Sequence, residues 1–230
     1  MNIEREMIIS ILKLTKDGPV SHELLNKDAK ISSKVAEKLI GKLQNEGLIY
    51  LKKGVVKADS LQRLKLAVKA INFSADLERV VGFLGWQEFE DIAAISLTQN
   101  NYIVEKNLRF KHVGRRWEID IVGCKKPVAI CIDCKHWHHG LCHSTLKKIV
   151  ERQIERTFAL AESLPSLSSR IECKSWDVVK LLPAVLSLVA GRFKFYNNVP
   201  IVPVLQLRDF LSQLPAYVDS LKHFTRQLAS

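Results

Sequence analysis

The stretch RRWEIDIVGCKKPVAICIDCKHW, residues 115–137, decides the fold. Side chains repeat every two residues along a strand, so RWEIDIVGC and PVAICIDCKHW read as two strands whose Ile119, Ile121, Ile130 and Ile132 share one phase. The other phase holds Glu118 and Asp120 on the first strand and Asp133 and Lys135 on the second. Acids therefore stand on a face where an apolar core would repel them. Burying carboxylates near one another is costly unless something positive compensates, and a hard divalent cation held by oxygen ligands is the usual compensation. Asp120 and Asp133 are candidate Mg2+ ligands, and Lys135 is placed to stabilise charge developing on a phosphate oxygen or to help activate a water. A D-x-K tripeptide alone also reads as an acid and base pair on an exposed strand.

Outward from this pair the chain alternates element types. The pattern predicts a helix over about Trp86–Gln99, a strand in NYIVEKNLRF, the two strands above, and a helix from about Ser144 to Leu164. That last helix carries Leu146, Ile149, Val150, Gln153, Ile154, Thr157, Leu160 and Ala161 on one side. LLPAVLSLVA and VPIVPVLQ follow as buried strands, and a helix from about Arg208 closes the chain. The order α-β-β-β-α-β-β-α predicts an α/β domain over residues 83–230, with a mixed central sheet flanked by helices.

The N-terminal part differs. A helix is expected over residues 3–15, a second after the N-cap Ser21 with Leu24, Leu25 and Ala29, and a third after Ser32 or Ser33. The third has Val35, Ala36, Leu39, Ile40 and Leu43 at helical spacing and ends at Gly47, and LIYLKKGVVKA then reads as a hairpin with Gly54 at its tip. Residues 59–82, with Leu61, Leu64, Leu66, Val68, Ile71, Leu77 and Val80 and no Pro or Gly before Gly82, read as a helical connector. Three helices and a wing over residues 1–58 resemble a small winged helix-turn-helix domain. The resemblance implies DNA contacts from Ser33, Lys34, Lys38 and Lys42 on the third helix and from Lys52, Lys53 and Lys57 on the wing.

With 230 residues, 47% of them hydrophobic and 26% charged, the composition is that of a globular protein. The longest apolar run, around Val178–Ala190, is broken by Lys180, Pro183 and Ser187 and falls short of the roughly 20 residues that span a bilayer. The start MNIEREMIIS lacks a signal-peptide shape, and the five cysteines are an odd number in a chain able to build a core, so reduced thiols in a soluble, cytoplasmic protein without a membrane partner are expected. A net charge of +11 favours an anionic partner such as nucleic acid, and from Glu105 to Lys148 ten Lys or Arg stand against four acids. CIDCKHWHHGLCH, with three cysteines and four histidines, invites a zinc reading. Against it, Cys131 and Cys134 fall on opposite faces of one strand, without the tight turn of a zinc knuckle. His138, His139 and His143 are expected in the loop beyond that strand.

From QEFEDIAAISLTQNNYIVEKNLRF through GRRWEIDIVG and AICIDCKHW to KKIVERQIER, about residues 84–210, the chain resembles the PD-(D/E)xK nuclease superfamily. Its type IV (Mrr-like) restriction endonuclease and archaeal Holliday-junction resolvase branches are the more similar ones. The resemblance implies a restriction-endonuclease-like fold and Mg2+-dependent or Mn2+-dependent hydrolysis of DNA, with Glu90, Asp120 and Asp133 on the metal and Lys135 beside them. Glu88 rivals Glu90, since both flank the stripe of Phe89, Ile92, Ala93 and Leu97. The chain departs from the pattern in having Ile119 where a proline precedes the first aspartate, and Asp133 where related branches often have Glu or Gln. Gln153 matches a glutamine that some Mrr-like members place beside the site, and Glu118 reads either as a further carboxylate or as a partner of Arg115 or Arg116. Cutting two strands needs two sites, so a homodimer is implied. A DNA-binding regulator or scaffold that keeps the fold without cutting, and a branched-DNA resolvase, are the alternatives.

Overall fold

A computed structural model of the chain describes residues 2–135, 143–167, 171–187 and 191–228. The chain divides into two compact units, Met1–Asp91 and Ile92–Ser230. The histidines and the cysteine of residues 136–142, weighed above for zinc, lie outside the described residues.

In the first unit α1 (Ile3–Leu14), β1 (Val20–Ser21), α2 (His22–Ala29) and α3 (Ser33–Asn45) precede the hairpin strands β2 (Tyr50–Lys52) and β3 (Val55–Lys57). Local chemistry sets these boundaries. Asn2 and Ser21 accept the backbone N–H groups of Arg5 and Leu24 as side-chain caps, and Gly47 at φ +70° follows the end of α3. Lys53 and Gly54 both have positive φ, the geometry of a two-residue turn whose twist matches the strands it joins. The strands form a small sheet in the order β1-β3-β2. Its neighbours α1, α2 and α3 bury Met7, Ile8, Leu25, Ala36, Ile40 and Leu43.

Two further helices, α4 (Ser60–Asn72) and α5 (Leu77–Gly82), follow the hairpin, as the connector pattern predicts. A capping box starts α4, with Asp59 and Gln62 each accepting the other's backbone N–H. Leu61 and Val68 on α4 are exposed, while Gln62 and Arg63 are buried beside Leu64, Leu66, Ala67 and Ala70. Leu24 on α2 and Val35 on α3 also face outward.

Helix α6 (Trp86–Gln99) leads into the second unit, where β4 (Ile103–His112), β5 (Arg115–Lys125) and β6 (Val128–Lys135) form an antiparallel meander. The helix α7 (His143–Leu167) crosses to β7 (Val178–Ser187), which runs parallel to β6, and β8 (Phe195–Tyr196), β9 (Val199–Pro203), α8 (Leu207–Tyr217) and β10 (Phe224–Gln227) complete the unit. The result is a mixed seven-stranded sheet in the order β4-β5-β6-β7-β9-β8, with β10 antiparallel on the first half of β7. The mixed α/β architecture flanked by helices is the one expected, and β8 and β10 are additions to it. No helix among the described residues is long and apolar enough to cross a membrane.

The two faces of β5 and β6 are packed differently. Val122, Cys124, Ala129 and Cys131 join Ala159, Leu160 and Ala161 of α7 in one core cluster. Gly123, of the opposite phase, lies under Leu97 of α6, where an added Cβ would come 2.7 Å from Leu97 Cδ2 and 3.2 Å from Ile130 Cγ2. Leu97 is fully buried, so it must shift within the core to make room. Gly123→Ala is therefore expected to destabilise the protein by about 1–3 kcal/mol, as overpacking does; an unchanged urea midpoint would show that the helix slides freely over this strand.

Candidate active site

Asp120 stands where the strands around it part. The β5–β6 ladder ends at the pair Ile121 and Ile132, so the next register position sets Asp120 against Asp133 on the face that meets α7. On the other side of β5, the β4 partner position is Asn107, at φ +52°, and the ladder skips it. Where the strands part, Asp120 Oδ2 accepts the Cys134 N–H at 2.7 Å.

Asp133 is 2% exposed and held by two cations. Lys135 Nζ lies 2.8 Å from its Oδ1 and Arg156 Nη1, on α7, lies 2.5 Å from the same oxygen. Gln153 is fully buried one turn before Arg156 and donates from Nε2 to the Cys131 carbonyl at 2.8 Å, while its Oε1 has no hydrogen-bond partner. Arg156 was not among the residues singled out from the sequence; its i+3 spacing from the inward-facing Gln153 is the signal that would have found it.

Burial pushes the Asp120 carboxyl above its ordinary range, and the neighbouring Asp133 pushes it further, against the Cys134 N–H, Lys135 and Arg156. A carboxyl whose folded pKa is raised binds a proton more readily in the folded state, so its contribution to stability falls as pH rises from its unfolded pKa through the folded one. Asp120→Asn keeps an acceptor for Cys134 but cannot ionise. The variant is expected to melt higher than the metal-free wild type at neutral pH, with the gap closing as pH falls toward the unfolded carboxylate range. A gap that widens in acid would reverse the sign assigned to Asp120.

Of the expected site residues, the fold brings together Asp120, Asp133 and Lys135. Glu90 falls in the first unit, 5% exposed, and accepts the indole N–H of Trp86. Its rival Glu88 is engaged at both oxygens, by Arg63 at 2.5 Å and by the Gly85 N–H at 2.5 Å. Glu118 pairs across the strands with Arg109 at 3.0 Å, rather than with Arg115 or Arg116. On the first unit Ser33, Lys34, Lys38, Lys52, Lys53 and Lys57 are exposed, whereas Lys42 is bound to Glu4 at 2.7 Å. Among the described residues no three His, Cys, Asp or Glu side chains gather as a metal-holding group.

Residues 82–162, which carry Asp120, Asp133, Lys135 and Arg156, match the NERD family, the nuclease-related domain. That match fits the PD-(D/E)xK-like nuclease superfamily and points to a nuclease-related function. An uncharacterized protein of Archaeoglobus fulgidus is 24% identical over 133 residues, covering 58% of this chain and 94% of its own. Among solved structures, a protein of unknown function, AF1548, is 14% identical with a TM-score of 0.28 over 43% of this chain. VC1899 from Vibrio cholerae is 14% identical with a TM-score of 0.37 over 94% of this chain. The chain spans 46% and 50% of the length of those two solved chains.

Proposed function

We propose that the protein is a metal-dependent DNA endonuclease of the restriction (Mrr-like) type, in which a winged-helix domain over residues 1–58 and a connector over 59–82 precede a PD-(D/E)xK domain over 83–230. The observation that carries this reading is the facing of Asp120 and Asp133 at the point where β5 and β6 part, with Lys135 on Asp133.

The residues present fit Mg2+ or Mn2+. Mg2+ is commonly held by one or two carboxylates together with waters and substrate phosphate, and Asp120 and Asp133 are two hard donors, Asp120 already raised by burial and then by its neighbour Asp133. The orphaned Oε1 of Gln153, near the same strand face, is suited to a bound water. Asp120 and Asp133 would hold the ion; Glu90 is the further ligand that the nuclease resemblance implies, Glu88 being committed to Arg63. The bound ion would lower the pKa of a water and polarise the phosphate. Lys135 holds Asp133 in place, and its ammonium is placed to meet charge developing on a phosphate oxygen. Arg156 holds Asp133 from the α7 side. Ser33, Lys34, Lys38, Lys52, Lys53 and Lys57 would contact DNA from α3 and the wing, with Lys42 contributing once released from Glu4. A homodimer would supply the second active site for double-strand cutting.

Purified protein is to be incubated with plasmid, linear and four-way-junction DNA in Mg2+ or Mn2+, beside EDTA. Cutting that needs the metal is expected. DNA binding without cutting under every condition would replace this reading by the non-cleaving regulator, and symmetric cutting confined to junctions would replace it by the resolvase. Mg2+ at about a hundred times its Kd is also expected to stabilise the wild type by about 2.7 kcal/mol. No such gain is expected in Asp120→Asn.

A further inference from the structure

The β4–β5 hairpin and α7 enclose an open cleft of about 1210 Å³ that Asp120 lines. Its walls carry six cations, Arg109, Lys111, Arg115, Arg116, Arg152 and Arg156, against the acids Glu118 and Asp120. Two of the six are already paired, Arg109 with Glu118 and Arg156 with Asp133. Among the described residues, Lys111, Arg115, Arg116 and Arg152 have no carboxylate partner, and the Arg115 guanidinium lies 4.0 Å from the Trp117 ring centre, over its face.

The register makes this arrangement costly. Lys111 stands directly opposite Arg116 across the antiparallel ladder. Like charges opposite one another weaken a sheet, and among the described residues no carboxylate compensates the Lys111 and Arg116 pair. An anion lying along the cleft would. On β5, Arg116, Glu118 and Asp120 share one phase, so Arg116 is four residues, roughly 13 Å, along the strand from Asp120. Arg152 precedes Arg156 by about one turn of α7 on the facing wall. Cations thus line both walls leading to the aspartate pair.

We propose that this cleft is a second nucleic-acid-binding site, separate from α3 and the wing. In it Lys111, Arg115, Arg116 and Arg152 bind consecutive phosphates of a strand whose scissile bond reaches Asp120. The assignment rests on the proposed reading of the aspartate pair as a phosphodiester-cleaving site, because only that chemistry needs a phosphate track ending there.

The test uses the full chain in EDTA, so that binding is read without cutting. Labelled duplex DNA, single-stranded DNA and RNA are titrated over a series of salt concentrations with three proteins: the wild type, a cleft triple (Lys111→Gln, Arg116→Gln, Arg152→Gln), and a control triple (Arg192→Gln, Lys194→Gln, Arg208→Gln). The control removes the same charge from exposed positions that do not line the cleft. Each lost duplex phosphate contact flattens the log–log salt dependence by about 0.9, so the cleft triple is expected to flatten it by about 2.7 and to weaken affinity at least tenfold. The control triple should change neither, and Arg116→Lys with Arg152→Lys should keep the wild-type slope. The substrate most affected identifies which nucleic acid the track holds. Equal losses in both triples, or an unchanged slope in the cleft triple, overturn the proposal. Wild type that never cuts in Mg2+ overturns the proposed function but leaves this binding result standing, so the two failures are distinct.

Discussion

Asp133→Asn is expected to lower metal-dependent DNA cleavage by about a thousandfold or more, a loss of about 4 kcal/mol of transition-state stabilisation. DNA binding in EDTA should be retained. Asp133 is the most enclosed carboxylate of the pair and faces Asp120 with Lys135 and Arg156 on it, so the charge it carries is the one an ion between the strands would need. Asparagine preserves the side chain's shape and one acceptor for Lys135 or Arg156, which keeps the loss from being one of folding. Alanine would strip both cations of their partner and confound the two. Lys135→Ala should lose about 10²–10³-fold, the usual effect of removing one group that stabilises developing charge. A contaminant-free Asp133→Asn protein that cuts at the wild-type rate would remove the aspartate pair from the mechanism. A variant that loses both cutting and its melting transition would assign Asp133 to folding instead.

The aspartate pair was legible in the sequence because it depends only on strand phase: Asp120 and Asp133 alternate with buried isoleucines, and a two-residue repeat needs no knowledge of neighbours. The same holds for α6, whose ends at Trp86 and Gln99 follow its own apolar stripe. What the sequence hid depends on register or docking. Glu118 reaches Arg109 because the Val113–Gly114 turn sets position 109 against 118, and no hydrophobic pattern encodes that turn. Arg156 joins Asp133 only once α7 lies on the sheet. The strand β10 is four residues, FTRQ, with alternate exposure and no apolar run; its pairing with the start of β7 makes it a strand. The buried face of α4 is hidden in the sequence for a related reason. Apolar periodicity counts Leu61 and Val68 as core and cannot see that a charged residue is fully satisfied inside.

That charged residue, Arg63, carries the other large expected effect. It is 4% exposed, and its guanidinium donates to Glu88 at 2.5 Å, to the Leu12 carbonyl at 2.8 Å, to Thr15 Oγ1 at 2.6 Å and to the Phe83 carbonyl at 2.6 Å. One side chain on α4 thereby ties the end of α1 to the segment that opens α6. Arg63→Met is expected to destabilise the first unit by about 3–5 kcal/mol, because it leaves a buried Glu88 carboxylate with the Gly85 N–H but no cation. Arg63→Lys should rescue little, since a single ammonium cannot reach four acceptors that a planar fork reaches at once. In Arg63→Met with Glu88→Leu, part of the loss should return, because removing both charges is far less costly than removing one. Urea denaturation followed by circular dichroism measures all three variants. The same series separates the two glutamates of α6: Glu88→Gln should lower the urea midpoint and keep the stabilisation by Mg2+, whereas Glu90→Gln should lose that stabilisation. If Glu88→Gln instead abolishes the Mg2+ response without lowering the midpoint, the metal ligand is Glu88 and the Arg63 pair is only the state it adopts before the ion binds.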